Sequence, residues 1–217
     1  MSRENSETLK VFNQTAEIFL NGLAMHNQLD PRRAERKRAK LHGDIREAFS
    51  TLKPGSKLLE IGAADGANSK FLESLGYDVT ASDVVDSFLN IMQSRGLKTA
   101  KFNVLEDDLG QKFDGVFCWR VFVYFTREDV EVAMRKIYDH LNTHGRFMFN
   151  VINREAHDTD AEWKDLVGEY RIGAERYYSY FRESEIRDIA QRVGFKVAHF
   201  ENEKTTNNDW LIFVLEK

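Results

Sequence analysis

The chain has 217 residues, 42% of them hydrophobic, which suits one domain with a short extension and a proper core. A net charge of −4 gives bulk electrostatics no reason to recruit nucleic acid, and no apolar run approaches the roughly 18–20 residues that cross a membrane. A single cysteine, Cys118, excludes an intrachain disulfide and fits a reducing compartment; with the polar start MSRENSETLK and no apolar signal region, a soluble cytoplasmic protein is expected.

Asp30-Pro31 reads as an N-cap and the first position of a helix. From there to Leu52, Ala34, Leu41, Ile45, Ala48, Phe49 and Leu52 fall near one face. The basic run from Arg32 to Lys40 takes the other face and reads as solvated. Pro54-Gly55 ends the helix. Strands and helices then alternate. Lys57 to Ile61 is a strand, Ser69 to Leu75 a helix stopped by Gly76, and Tyr77 to Ser82 a second strand. Val84 to Arg95 is a helix closed by Gly96. Thr99 to Phe102 and Phe113 to Trp119 are the third and fourth strands. Thr126 with Asp129 starts a helix that ends near Gly145, and Arg146 to Val151 is the fifth strand. Residues 153–178 read as irregular, polar and aromatic. A helix near 183–193 and strands at Lys196–Glu201 and Trp210–Leu215, joined by a hairpin loop EKTTNND, complete the chain. Short crossovers between apolar strands mean a parallel sheet with helices on both faces, ending in an antiparallel edge.

Ligands of such a sheet bind beyond the carboxyl ends of the strands, where the strand order reverses. The first strand ends there in LLEIGAADGANS, residues 58–69. Gly62 lets backbone approach a ligand, and Gly66 allows a tight turn into the helix. Asp83, ending the second strand, suits two ribose hydroxyls. Asn103 could accept from an adenine amino group, and the Val104 N–H could donate to a ring nitrogen. Cys118, Trp119 and Arg120 would wall an extended ligand. The loop lacks G-x-G-x-x-G, and Glu60 and Asp65 would repel a pyrophosphate. They suit a ligand with an ammonium and a sulfonium and no phosphate, namely S-adenosylmethionine.

Taken together, these motifs resemble the class I S-adenosylmethionine-dependent methyltransferases of the small-molecule type. Glu60-Ile-Gly62-Ala-Ala64-Asp-Gly66 matches the family's acid-x-Gly-x-Gly-x-Gly loop, with Ala64 for the middle glycine. VTASD with Asp83, Asn103, FDGVFCWRVFVYF and HLNTHGRFMFNV match its later motifs, though Thr143-His144-Gly145 stands for the usual Pro-Gly-Gly. The resemblance implies an α/β, Rossmann-like, doubly wound seven-stranded sheet, mostly parallel with one antiparallel C-terminal strand and helices on both faces. It implies S-adenosylmethionine as cofactor, held by Glu60, Gly62, Ala63, Gly66, Asp83, Val84, Asn103, Val104 and Cys118. Residues 1–53 would form an N-terminal helical cap, 54–217 the methyltransferase domain, and 153–180 a substrate-side insertion.

Arg120, Tyr124 and His157 are the candidate acceptor-side residues. Arg120 faces a site only where an anion balances it: a cofactor carboxylate, an acceptor carboxylate or phosphate, or Asp65 or Glu60. Tyr124 is near the acceptor or is a core aromatic. His157 is a general base or a structural residue; the other histidines, His26 included, read as surface or structural. Trp163, Tyr170, Tyr177, Tyr178, Tyr180 and Phe181, with Phe12, Phe19, Leu20 and Leu23, close over a small molecule or add core. No metal-ligand spacing is present. The expected partner is a small-molecule acceptor, anionic if Arg120 meets it, with neither nucleic acid nor membrane, and the protein a monomer or homodimer. The competing readings are a cofactor-binding regulatory or assembly protein without transferase activity, and an NAD-linked oxidoreductase.

Overall fold

The computed structural model describes residues 1–166, 171–205 and 208–217, the His26 side chain excepted. Tyr170 and positions 206–207 of the hairpin loop therefore lie outside the described residues, as does the reading of His26.

Two helices open the chain. In α1, Arg3–Leu29, the Ser2 hydroxyl accepts from the Asn5 N–H. In α2, Pro31–Ala48, the Asp30 carboxylate accepts from the Arg33 N–H, with proline at the first turn as expected. The alternation follows: β1 Lys57–Ile61, α3 Ala67–Ser74, β2 Asp78–Asp83, α4 Asp86–Ser94, β3 Thr99–Lys101, β4 Phe113–Cys118, α5 Arg127–His140 and β5 Leu141–Asn153. After β6 Ala161–Lys164 and β7 Arg176–Phe181 come α6 Glu183–Val193, β8 Lys196–Lys204 and β9 Asp209–Glu216.

Strands β3, β2, β1, β4 and β5 lie side by side and parallel. Beyond β5, the antiparallel β9 is inserted, and β8 pairs with its far edge. These seven strands have the expected arrangement, with β9 antiparallel; β7 and β6, which were not expected, extend the sheet to nine strands. Chain order reverses between β1 and its neighbour β4, so the crevice predicted for a ligand opens at the ends of β1, β2 and β4.

Side chains alternate across the sheet with period two. Leu59, Val116, Phe147 and Phe149 share a core with Val130, Ile137 and Ile186 from α5 and α6. Leu58, Phe117 and Met148 face the other way, onto Ile45 and Phe49 at the end of α2 and Leu72 of α3.

One segment departs from expectation. Part of the stretch read as irregular, 153–178, forms a hairpin in which β6 pairs antiparallel with β7. The end of β7 then pairs parallel with the end of β5, Ile152 against Tyr180 and Asn153 against Phe181. The hairpin thus rises above the carboxyl end of the sheet. Helix α1 reaches the same end: Phe12 and Ala16 pack with Val85 and Phe88, against Ala64, Val84 and Tyr124. Its start is tied down by Asp129 of α5, whose carboxylate oxygens accept from the Ser2 N–H at 3.0 and 3.2 Å. Among the described residues, no helix is long and apolar enough to cross a membrane.

Candidate functional site

The loop after β1 is built from left-handed backbone. Gly62 has φ 68° and Gly66, which caps α3, has φ 75°. Between them Ala64 adopts φ 48°, a conformation that costs an alanine roughly 1–3 kcal/mol and a glycine little. Ala64 therefore keeps the shape of the glycine it replaces. The turn is closed by the Gly66 N–H donating to the Ala63 carbonyl at 2.8 Å, and it is joined to β2 by the Ala63 N–H donating to the Ser82 carbonyl at 2.9 Å.

Space as well as backbone selects glycine here. A Cβ on Gly62 would run into the Val121 side chain, and one on Gly66 into Leu97 and Met92. Gly62→Ala is expected to cost roughly 1–3 kcal/mol, lowering the melting temperature by several degrees. Gly96, with φ 73° and nothing within 4 Å of a Cβ, supplies the control for backbone strain alone. Equal losses for Gly62→Ala and Gly96→Ala in thermal denaturation would refute the packing constraint.

Asp83 secures the loop from below. One carboxylate oxygen accepts from the Ala64 N–H at 3.0 Å; the other accepts from Val84 and Val85 at 2.8 and 3.0 Å. Burial raises its pKa, while these backbone donors pull it down. A carboxylate has about four acceptor sites, so capacity remains for a ligand hydroxyl.

Glu60 lies beneath α3, wholly buried. It accepts from the Ser69 hydroxyl in a very short bond and from the Asn68 amide at 3.3 Å. Burial above all, with the charges of Asp65 and Asp83, pushes its pKa up to about 7 despite those two donors. An acid in this condition is stabilised in its ionised form by a nearby cation and penalised by a nearby phosphate. Asp65, by contrast, is partly exposed and pairs with Arg95 at 3.0 Å.

On the far side of the crevice, Asn103 serves the turn after β3: its carbonyl accepts from the Leu105 N–H at 3.0 Å and its amide faces Glu106 at 3.3 Å. Val104 is buried beside it. Cys118 is buried at the end of β4, and burial raises its thiol pKa well above the ordinary value, which removes it as a nucleophile.

The acceptor-side candidates do not form one cluster. Tyr124, in a single turn of 3-10 helix, sits between Phe12 of α1 and Tyr178 of β7, both ring centroids 5.1 Å away. His157 stacks on Tyr180 at 3.7 Å, and its Nε2 is buried without a hydrogen bond among the described residues. Burial, with help from Lys164, lowers its pKa, so the imidazole is neutral at pH 7. Tyr180 in turn bonds Glu162 and Lys164. Arg120 stands apart: exposed, in left-handed backbone (φ 60°), its guanidinium 5.1 Å from the Trp210 ring. Its N–H donates to the buried Asn150 side chain at 2.7 Å. The basic face of α2 is largely exposed, as read from the sequence, with Lys40 paired to Asp44 at 2.8 Å.

One residue of this region went unread in the sequence. Arg176, at the start of β7, shares a strand face with Tyr178 and Tyr180 and is completely buried. Its signal was a charge at the head of RYYSYF, where consecutive aromatics hide the period of two. No group of three or more His, Cys, Asp or Glu among the described residues could hold a metal.

A methyltransferase-domain family model matches residues 33–199, most of the chain. A probable S-adenosyl-L-methionine-dependent methyltransferase, TehB of Haemophilus influenzae, is 26% identical over 160 residues, or 71% of this chain and 54% of that protein. The chain therefore spans about half the length of the curated relatives it matches. Among solved structures, magnesium protoporphyrin IX methyltransferase of Synechocystis PCC 6803, with bound S-adenosylmethionine, superposes with TM-score 0.72 at 15% identity, covering 100% of this chain and 98% of that one. The 1,6-didemethyltoxoflavin-N1-methyltransferase of Burkholderia thailandensis, with its acceptor and S-adenosylhomocysteine bound, gives 0.69 at 17% identity, covering 100% and 91%. Those likenesses confirm the fold, and the family match goes further: the chain belongs to the class I S-adenosylmethionine-dependent methyltransferases.

Proposed function

We propose that this chain transfers a methyl group from S-adenosylmethionine to an oxygen or nitrogen atom of a small-molecule acceptor. The observation that carries the reading is Glu60, a buried acid at the floor of a glycine loop, with its pKa pushed up to about 7. Such a floor favours a cationic ligand over a phosphate-bearing one. When bound, the cofactor supplies an activated methyl group, so the protein needs chiefly to position the acceptor and exclude water.

The parts for that work are present. Gly62, Ala63 and Gly66 shape the loop; Asp83 and Val84 flank the ribose position; Asn103, Val104 and Cys118 line the adenine side. Residues 1–53 act as a cap through α1, whose Phe12 and Ala16 rest directly on the loop. The hairpin in 153–180 supplies the acceptor side, with Tyr124 and Tyr178 in contact and His157, held neutral, as the base for a hydroxyl or ammonium acceptor. Their compact aromatic setting supports a small acceptor. The magnesium protoporphyrin and toxoflavin enzymes, similar in fold, act on small molecules by name.

The test is formation of S-adenosylhomocysteine from S-adenosylmethionine across a panel of phenols, carboxylic acids and amines. Turnover confined to one chemical class is expected. Tight cofactor binding with no turnover on any of them would favour the regulatory or assembly reading instead.

A further inference from the structure

Arg176 has no solvent exposure, and none of its Nε, Nη1 and Nη2 atoms has a hydrogen-bond partner among the described residues. Asp165 forms an ion pair with Arg176 at 3.6 Å from Nη2, too far for a hydrogen bond. Its two oxygens are engaged elsewhere, accepting from the Ile172 N–H at 3.1 Å and the Gly173 N–H at 2.8 Å. The guanidinium lies near two aromatic rings, 5.5 Å from the centre of Phe12 and 5.7 Å from that of Tyr178. The Tyr178 hydroxyl is also buried without a well-formed hydrogen bond among the described residues, the Tyr124 side chain being the polar group it approaches. Burial raises its pKa, so it is a neutral donor.

These unsatisfied groups call for one kind of partner. Arginine has only donors, five of them in a planar fork, and the tyrosine adds an O–H. A desolvated charge without hydrogen bonds is among the costliest arrangements in a protein interior. A planar oxyanion would supply the hydrogen bonds that the fork lacks and that Asp165, at 3.6 Å, does not provide. The neighbouring aromatic rings suit a carboxylate carried on a flat or apolar body. The location is also informative: Phe12, against Arg176, touches Tyr124 and packs with Ala64 and Val84 of the loop region. Helix α1 and β7 meet at this point, joined by the Tyr177 N–H donating to the Thr8 hydroxyl at 3.1 Å.

We propose that Arg176 and Tyr178 form a binding site for a carboxylate or similar planar oxyanion, carried by the methyl acceptor. The site would make the acceptor anionic, and it transfers that role from the exposed Arg120 to a buried residue. Naming the acceptor as its bearer rests on the methyltransferase reading. The same chemistry is offered by the carboxylate of the cofactor's methionine moiety, so the two sources need separating.

Isothermal titration does so with wild type and Arg176→Met, using benzoate, S-adenosylhomocysteine and decarboxylated S-adenosylhomocysteine as probes. The expected result is that wild type binds benzoate and that Arg176→Met weakens it roughly tenfold or more, about the effect of losing a charged hydrogen bond. S-adenosylhomocysteine should bind both proteins alike. A tenfold loss for S-adenosylhomocysteine, with none for its decarboxylated form, keeps the oxyanion site and assigns it to the cofactor. Unchanged affinity of the variant for all probes, or no benzoate binding by wild type together with an unchanged S-adenosylhomocysteine affinity, overturns the site. Failure of wild type to bind S-adenosylhomocysteine refutes the methyltransferase reading, and the benzoate titration still judges Arg176 on its own. Without ligand, Arg176→Met should melt higher than wild type because a buried guanidinium without hydrogen bonds is gone; a lower melting temperature would show the guanidinium already satisfied by its ion pair with Asp165. Should the variant not fold, Arg176→Lys keeps the charge and loses the fork, and must still weaken benzoate severalfold.

Discussion

Asp83→Ala is expected to weaken S-adenosylhomocysteine binding by roughly tenfold or more, about 1.4 kcal/mol. The effect has two sources in the geometry. The carboxylate holds the Ala64, Val84 and Val85 N–H groups, so its removal leaves donors on both sides of the ligand position without their partner. It also removes the acceptor proposed for the ribose hydroxyls. Asp83→Asn should show an intermediate loss, because it keeps the backbone bonds on one side only. The amide oxygen can still take N–H donors, but its NH2 cannot accept from the second side. An affinity for Asp83→Ala equal to that of wild type would sink the assignment of this residue to the cofactor.

The second large effect is expected at Glu60, and it has opposite signs in the ligand-free and bound protein. The folded-state pKa, about 7, lies above the ordinary value of 4.5. Between those values the folded protein keeps a proton that the unfolded chain releases, so ligand-free stability falls as pH rises through this window. Above pH 7 the full cost applies, on the order of 3 kcal/mol. Glu60→Gln lacks the titration and keeps a carbonyl for Ser69. It should therefore melt higher than wild type at pH 8, with the difference vanishing near pH 4.5. Cofactor binding should respond the other way, because the ammonium loses its counter-charge and affinity drops roughly tenfold. In wild type, the ligand cation favours ionised Glu60, so binding should expel a proton and strengthen from pH 6 to pH 7.5. Titration in two buffers of different ionisation enthalpy measures that proton directly. Binding that takes up no net proton and releases none at pH 6.5 would contradict the role given to Glu60.

Much of the fold was legible because its signals are local and mutually consistent. Apolar strands of five or six residues alternate with helices stopped by Gly76 and Gly96, both with positive φ in the structure. The Asp30-Pro31 helix start rests on an interaction three residues long. The loop from Glu60 to Gly66 could be read for the same reason: a left-handed turn after a buried strand demands small residues in that order. Long-range placement was harder. No local pattern says that α1 folds back over Ala64 and Val84, or that the Ser2 N–H finds Asp129. The β6–β7 hairpin escaped because Tyr177-Tyr178 places two aromatics in succession, one half-buried and one in the core, which blurs the alternation. Arg176 was hidden with it, since an arginine beside tyrosines reads as surface unless the face it shares is known. Arg120 drew attention for its place at the end of the fourth strand, yet its side chain stacks on Trp210 and stays exposed. Asn103 uses one lone pair of its carbonyl to close its own turn, a local role that its residue type alone does not reveal.

The central claim is that the Glu60–Gly66 loop and Asp83 bind an adenosine ligand carrying an amino-acid moiety, as S-adenosylmethionine and its product do, and not a dinucleotide. Isothermal titration of the wild-type protein with S-adenosylhomocysteine and with NAD tests it most directly. The account predicts saturable one-site binding of S-adenosylhomocysteine, lost or strongly weakened in Asp83→Ala, with no heat from NAD. Binding of NAD, or no binding of S-adenosylhomocysteine, would contradict it.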